Sequence, residues 1–299
     1  MERAPPPEGS VAMSAPADVT DVARSSGSSF YYAFLTLPRP QREAIQAVYA
    51  FCHAVDDAVD EAPDPDTARR DIARWRDELA RAYEGRARDP IARRIGEIAG
   101  PFGLPRALFE DVIDGVSRDL DPRRFARWDD LAGYCDLVAG AVGRLCVRIF
   151  GRCDEEADRY ARALGRAFQL TNILRDLGPD AALGRFYLPL EDLERFGVSE
   201  RDVLDERPPR MPLLTFEADR ARALFDEGAA IGRRDPRRLC AAEVMAAIYR
   251  RQLDAVVAAG FPARRPPARL SRARKVRIAL GAWLRCRLAT GGAPGTACL

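Results

Sequence analysis

The sequence predicts an all-α helical bundle. Three observations carry that prediction: apolar residues recur at steps of three and four through most of the chain, no segment alternates polar and apolar residues as a half-buried strand would, and no Asn-Gly pair marks a hairpin. With 299 residues and 47% hydrophobic content, the chain can bury a large core. No composition break divides it.

The first expected helix, Ala44 to Glu61, carries Ile45, Val48, Tyr49, Cys52, Val55 and Val59 at helical spacing and is stopped by the run Pro63-Asp64-Pro65-Asp66. Thr67 to Glu84 is the second. Pro105 to Leu120 follows, with Leu108, Phe109, Val112, Ile113 and Val116 on one face. Leu131 to Phe150 reads as one long apolar helix, and Asp154 to Asp176 as another, with Tyr160, Leu164, Ala167, Phe168 and Ile173 aligned. Glu217 to Ile231 and Cys240 to Ala259 precede a basic helix between Arg264 and Arg287. The expected organisation is a disordered lead-in over 1–24, rich in Pro, Ala, Ser and Gly, one helical domain over 25–288 and a flexible tail over 289–299.

Net charge is +2, so no global basic field points to nucleic acid. Seven cysteines form no CxxC pair and no zinc spacing, which reads as reduced thiols in a cytoplasmic protein. The lead-in lacks the pattern of a secretory signal, and no apolar run is long enough to span a bilayer. The basic C-terminal helix interleaves Arg with Leu, Ile, Val and Trp283. Such a helix can lie on an anionic membrane surface, at the inner face of the membrane, or pack on the body as a solvated terminus; both readings stay open.

Two acid pairs stand out. Asp56 and Asp60 lie four apart, as do Asp176 and Asp180. Residues at this spacing share one helix face, where like charges repel. One such pair is ordinary on a solvated helix. Here the acids interrupt apolar stretches, and Gln169, Asn172, Arg175 and Asp176 punctuate an apolar helix at steps of three, three and one. Polar groups on such a face need partners. A cavity holding Mg²⁺ and phosphate oxygens supplies them, because hard divalent cations are held by one or two carboxylates plus substrate phosphates. Gly178-Pro179 lies inside the second pair, which makes its pairing less regular.

These residues sit in blocks that resemble the squalene/phytoene synthase family, in the family's order: SSFYYAFLTLP from Ser28, QREAIQAVYAFCHAVDDAVDE from Gln41, YCDLVAGAVGRLCVRIFG from Tyr134, and FQLTNILRDLGPDAALGRFYLPLEDLERFGVS from Phe168. The resemblance covers roughly Ser28 to Tyr249. It implies the isoprenoid synthase-type helical bundle with a central active-site cavity. It also implies a Mg²⁺-dependent prenyltransferase, in which one allylic diphosphate ionises and the double bond of a second attacks it to form a cyclopropylcarbinyl diphosphate.

By resemblance, Asp56, Asp60, Asp176 and Asp180 hold Mg²⁺. Ser29, Arg42, His53, Gln169, Asn172, Arg175 and Arg185 line or contact the diphosphates. Tyr134 is linked to proton handling, and Tyr187 belongs to the segment that closes over the site; a buried tyrosine that simply hydrogen-bonds is the alternative for both. His53 departs from the family, which usually carries Arg there. Histidine is shorter and only partly charged near neutral pH. Within the family the wording is most similar to bacterial presqualene diphosphate synthases, which join two molecules of farnesyl diphosphate without NADPH. Phytoene synthases, using geranylgeranyl diphosphate, are the rival, and a non-catalytic prenyl-lipid-binding protein of the same fold is the alternative from another class. Phe34, Val138, Leu145 and Phe168 are candidates for setting chain length.

Overall fold

The computed structural model describes residues 33–34, 36–121 and 124–289. Ser29, the lead-in over 1–24 and the end of the tail lie outside them. Among the described residues the elements are helices and turns, without strands.

The first half is built from α1 (Arg39–Asp60), α2 (Pro65–Tyr83), α3 (Pro90–Ala99) and α4 (Arg106–Ser117), which continues into a 3₁₀ turn (Arg118–Leu120). Then come α5 (Trp128–Cys135), a π-helical turn (Asp136–Gly140) and α6 (Ala141–Ile149). The second half holds α7 (Glu155–Arg175), α8 (Leu177–Ala182), α9 (Leu190–Phe196), α10 (Glu200–Leu204), α11 (Arg210–Gly232), α12 (Cys240–Ala258) and α13 (Arg272–Leu288).

The starts follow local chemistry. Prolines open α1, α2 and α3, where a missing N–H costs nothing. Asp64 accepts from the Thr67 amide at 2.8 Å, and Asp89 accepts from the amides of Ile91 and Ala92. Each such cap contributes about 1 kcal/mol. Gly197, at φ 62°, ends α9 in the left-handed conformation that glycine adopts freely.

α7 is the hub. It packs against α5, the π turn, α6, α8, α11 and α12, while α1 packs on α2, α3, α4 and α6. A cavity lies between these two groups. In the α1 group, Phe51 packs edge-on against Trp75 and Phe109, with ring centroids 5.7 and 5.1 Å apart.

Two expectations need correction. The helix expected from Leu131 to Phe150 is three segments, because the backbone opens into a π turn at Asp136. Arg162 and Arg166 of α7 hold the Asp136 carboxylate at 2.7–3.0 Å, and Gly165 of α7 presses directly on the backbone of Ala139 and Gly140. The helix expected to reach Asp176 ends at Arg175, since Asp176 turns out at φ −107°, ψ 24°, and α8 restarts with Gly178-Pro179 inside it. Of the cysteines, Cys52, Cys135, Cys146, Cys240 and Cys286 are free thiols.

A buried ionic knot joins α9 to α11. Arg220 donates to Asp192 at 2.9 Å and to both oxygens of Glu217 at 2.8 and 2.7 Å, and its guanidinium lies over the Trp128 ring. Two carboxyls share one buried cation, and burial, the main cause, pushes Glu217 up to about 8 against the pull of Arg220. The folded state therefore keeps a proton that an unfolded glutamate releases near 4.5. It binds more protons between those two values, so this group's contribution to stability falls as pH rises through the window. Glu217→Gln should remove the fall. From about pH 5 to about pH 9, the melting temperature of the unsubstituted protein is expected to drop about 2–4 °C more than that of E217Q, read by scanning calorimetry.

Candidate active site

The cavity between the two helix groups measures about 270 Å³. α1 contributes Ile45, Val48, Tyr49 and Cys52 in helical register, then His53 and Asp56 at its polar end. The π turn turns Val138 and Ala139 inward; α7 adds Phe168, Gln169 and Asn172, and α12 adds Met245 and Tyr249. Phe168 stacks on Tyr249 with centroids 4.4 Å apart. The wall is thus apolar along most of its length and polar at one end, the form suited to an apolar chain with a charged head. Of the four chain-length candidates, Phe34, Val138 and Phe168 line it, whereas Leu145 is fully buried in the core.

The glycines of the VAGAVG segment have a packing reason. A side chain on Gly143 would sit 2.9 Å from the Ala161 carbonyl oxygen of α7. Together with Gly165, this lets α6 and the π turn approach α7 closely enough to form the cavity wall.

Asp56, Asp57 and Asp60 fall in the last turn of α1, with Glu61 at its C-cap. The negative end of a helix macrodipole is an unfavourable place for acids. Burial, aided by Asp60, Asp119 and Asp57, pushes Asp56 up to about 7. On the other side, burial, aided by Asp176 and Asp119, pushes Asp180 up to about 7. Asp180 N donates to Asp176 O at 2.9 Å, so these acids still sit one turn apart despite the helix break. Both acid pairs feel the same third party, Asp119, and the same cation, Arg185, so they converge on one region.

They do not form a ready metal cluster. Among the described residues no three acid, thiol or imidazole side chains are grouped to hold one ion. Two of the four acids are taken by arginines: Arg185 Nη2 donates to Asp60 Oδ1 at 2.8 Å, and Arg175 Nε donates to Asp176 Oδ1 at 2.9 Å. Asp56 and Asp180 have no such partner, and Asn172 Oδ1 is buried without a hydrogen-bond partner among the described residues. The Asp56 carboxylate, open to solvent at the cavity's edge, the half-buried Asp180 carboxylate and an open amide oxygen form an all-oxygen donor set, which fits a hard divalent cation.

Tyr134 and Tyr187 meet on Asp119. Tyr134 Oη donates to Asp119 Oδ2 at 2.8 Å, Tyr187 Oη donates to Asp119 Oδ1 at 3.0 Å, and the two rings stack 5.4 Å apart. Burial, foremost, raises both hydroxyls and the Asp119 carboxyl above their ordinary values. Arg185 and Tyr187 line a neighbouring hollow of about 410 Å³ with Arg118, Asp119 and Arg124.

Sequence reasoning missed Asp119. The available signal was an acid closing the apolar stripe of α4, as Asp56 closes that of α1. His53 stands half-exposed at the cavity, its Nδ1 3.3 Å from Asp57 Oδ1. Arg42 is not brought to the site: it lies fourteen residues before Asp56 on the same helix, about 21 Å along the axis at 1.5 Å per residue. Among the described residues no helix is long and apolar enough to cross a membrane.

The squalene/phytoene synthase family model matches residues 23–274. A presqualene diphosphate synthase of Rhodopseudomonas palustris is 42% identical over 262 residues, 85% of this chain and 92% of that protein. A phytoene synthase of Mycobacterium tuberculosis is 37% identical over 238 residues, 78% of each chain. The crystal structure of a dehydrosqualene synthase in complex with ligand superposes with a TM-score of 0.81 at 30% identity, covering 90% of this chain and 95% of that one. With the helical cavity and Asp56 at its polar end, these likenesses establish that the chain belongs to the squalene/phytoene synthase family.

Proposed function

We propose that the protein joins two molecules of farnesyl diphosphate head to head to give presqualene diphosphate. One observation carries this reading: Asp56 lines the polar end of an apolar cavity, and beside it Arg185 ties the α1 acids to those of the α7–α8 break, donating to Asp60 from its side chain and to the Asp180 carbonyl from its amide. The relative most like it among those described above is named for the same product.

Asp56, Asp60, Asp176 and Asp180 would hold Mg²⁺, which supplies positive charge to the leaving diphosphate. The chain's own groups do the rest. Arg175 and Arg185, freed from their aspartates, grip the diphosphate oxygens. Gln169 and Asn172 orient the head group beside them. The apolar wall excludes water from the allylic cation left when the C–O bond breaks. The double bond of the second substrate attacks that cation, and loss of one proton closes the cyclopropane ring while the second diphosphate stays attached. Tyr134, its hydroxyl fixed by Asp119, is poised to relay that proton.

The likeness to a presqualene diphosphate synthase at 42% identity, against 37% to a phytoene synthase, favours the C15 substrate over the C20 geranylgeranyl diphosphate of phytoene synthases. The test is incubation with each diphosphate and Mg²⁺, with and without NADPH, and product identification by mass spectrometry. A C30 cyclopropylcarbinyl diphosphate formed without NADPH is expected. A C40 product alone would make the protein a phytoene-type synthase, and substrate binding without turnover would make it a prenyl-lipid-binding protein.

A further inference from the structure

Four of the seven large apolar side chains exposed among the described residues belong to one helix. They are Val276, Leu280, Leu284 and Leu288 of α13, exposed by 50%, 56%, 44% and 79%. Spaced four apart, they form a single ridge along the helix. The opposite stripe, Ala279, Ala282 and Cys286, is buried, and α13 packs on α12. An ordinary surface helix turns apolar residues inward and polar ones outward. α13 is apolar on both sides, and a contiguous exposed ridge of this kind marks a contact surface.

Charge identifies what it contacts. α13 carries five arginines and Lys275 and no acid. Beside the ridge runs a groove of about 660 Å³ between α11, α12 and α13, lined by six arginines, Arg222, Arg250, Arg251, Arg274, Arg277 and Arg285, against only Asp226 and Asp254. Those two acids are already engaged, Asp226 by Arg250 at 2.9 Å and Asp254 by Arg251 at 3.2 Å. Among the described residues Arg274 and Arg277 form no ion pair, so their charge faces outward uncompensated. A second copy of the chain would set this cationic helix against itself, where like charges repel. A nucleic acid would leave the leucines unburied. An anionic bilayer satisfies both halves: leucines enter the boundary between head groups and acyl chains, and arginines reach the phosphates.

We infer that α13 docks the protein on an anionic phospholipid surface through the Val276–Leu288 ridge and the adjoining arginine groove. Docking sets α12, whose Met245 and Tyr249 wall the cavity, against the helix that meets the lipid. The inference stands on this surface alone and does not depend on which prenyl diphosphate the cavity takes.

The test is co-sedimentation of the full chain with vesicles of phosphatidylcholine alone or with one-third phosphatidylglycerol. Binding at least about tenfold tighter to the anionic vesicles is expected, weakening as salt is raised. Leu280→Ser with Leu284→Ser, and separately Arg274→Glu with Arg277→Glu, should each weaken it by about tenfold or more while helicity and turnover of detergent-dispersed substrate stay unchanged. Equal or absent sedimentation with the two vesicle types would overturn the inference, as would binding that neither double variant reduces. So would a dimer in light scattering that the leucine variant dissociates, since the ridge would then be a contact between copies.

Discussion

Asp56→Asn and Asp180→Asn are each expected to lower turnover by a thousandfold or more, about 4 kcal/mol of transition-state stabilisation, and yet to melt higher than the unsubstituted protein in magnesium-free buffer. Both acids stand beside other acids and, among the described residues, form no ion pair of their own, and Asp56 also faces the negative end of α1. Asparagine keeps the shape and removes the repulsion. A gain of about 2–4 °C corresponds to about 1 kcal/mol in a chain of this size. Adding Mg²⁺ with pyrophosphate should reverse the order, because only the unsubstituted protein gains stability from ligands it binds. Differential scanning fluorimetry with circular dichroism reads all of this. Variants that melt lower without magnesium, or that keep turnover, would remove the acids from the proposed chemistry.

Gly165→Ala is expected to cost about 1–3 kcal/mol of stability and to lower the melting temperature by several degrees. The added methyl would stand 2.7 Å from Gly140 N, 2.8 Å from Gly140 Cα and 2.9 Å from Ala139 C. All three are backbone atoms, so no side chain can swing aside. The π turn must move off α7, carrying Val138 and Ala139 with it, and turnover should fall at least about tenfold as the cavity wall shifts. Gly133→Ala is the control in the neighbouring helix: nothing lies within 4 Å of its added methyl, so alanine should be neutral or stabilising by up to about 1 kcal/mol. Equal effects at both positions would show that close approach at Gly165 does not hold the wall.

The parts legible in the sequence were those written in local spacing. Ile45, Val48, Cys52 and Asp56 follow one helical stripe, and the stripe predicted both the helix and the acid at the cavity's end. Gln169 and Asn172 were legible as inward polar residues for the same reason. What escaped depends on distant partners. The π turn at Asp136 arises from Arg162, Arg166 and Gly165, which lie 26–30 residues on for Asp136 and its arginines, and no local pattern announces them. Asp119 gains its place from Tyr134 and Tyr187, fifteen and sixty-eight residues later. α3, α9 and α10 are too short for periodicity to mark. Arg42 sits in a matching block, but helix rise carries it about 21 Å from Asp56 along α1.

The ion pairs Arg185–Asp60 and Arg175–Asp176 make the two ligands of the proposed reaction interdependent. A metal held by Asp60 would compete with Arg185 for its Oδ1, and an anion that drew Arg185 away would leave that oxygen open. Each newcomer clears the seat the other needs. By linkage, pyrophosphate raises the apparent affinity for the metal by the same factor that the metal raises affinity for pyrophosphate. The arginines thus act as resident placeholders, holding the carboxylates in readiness and yielding only when both guests arrive.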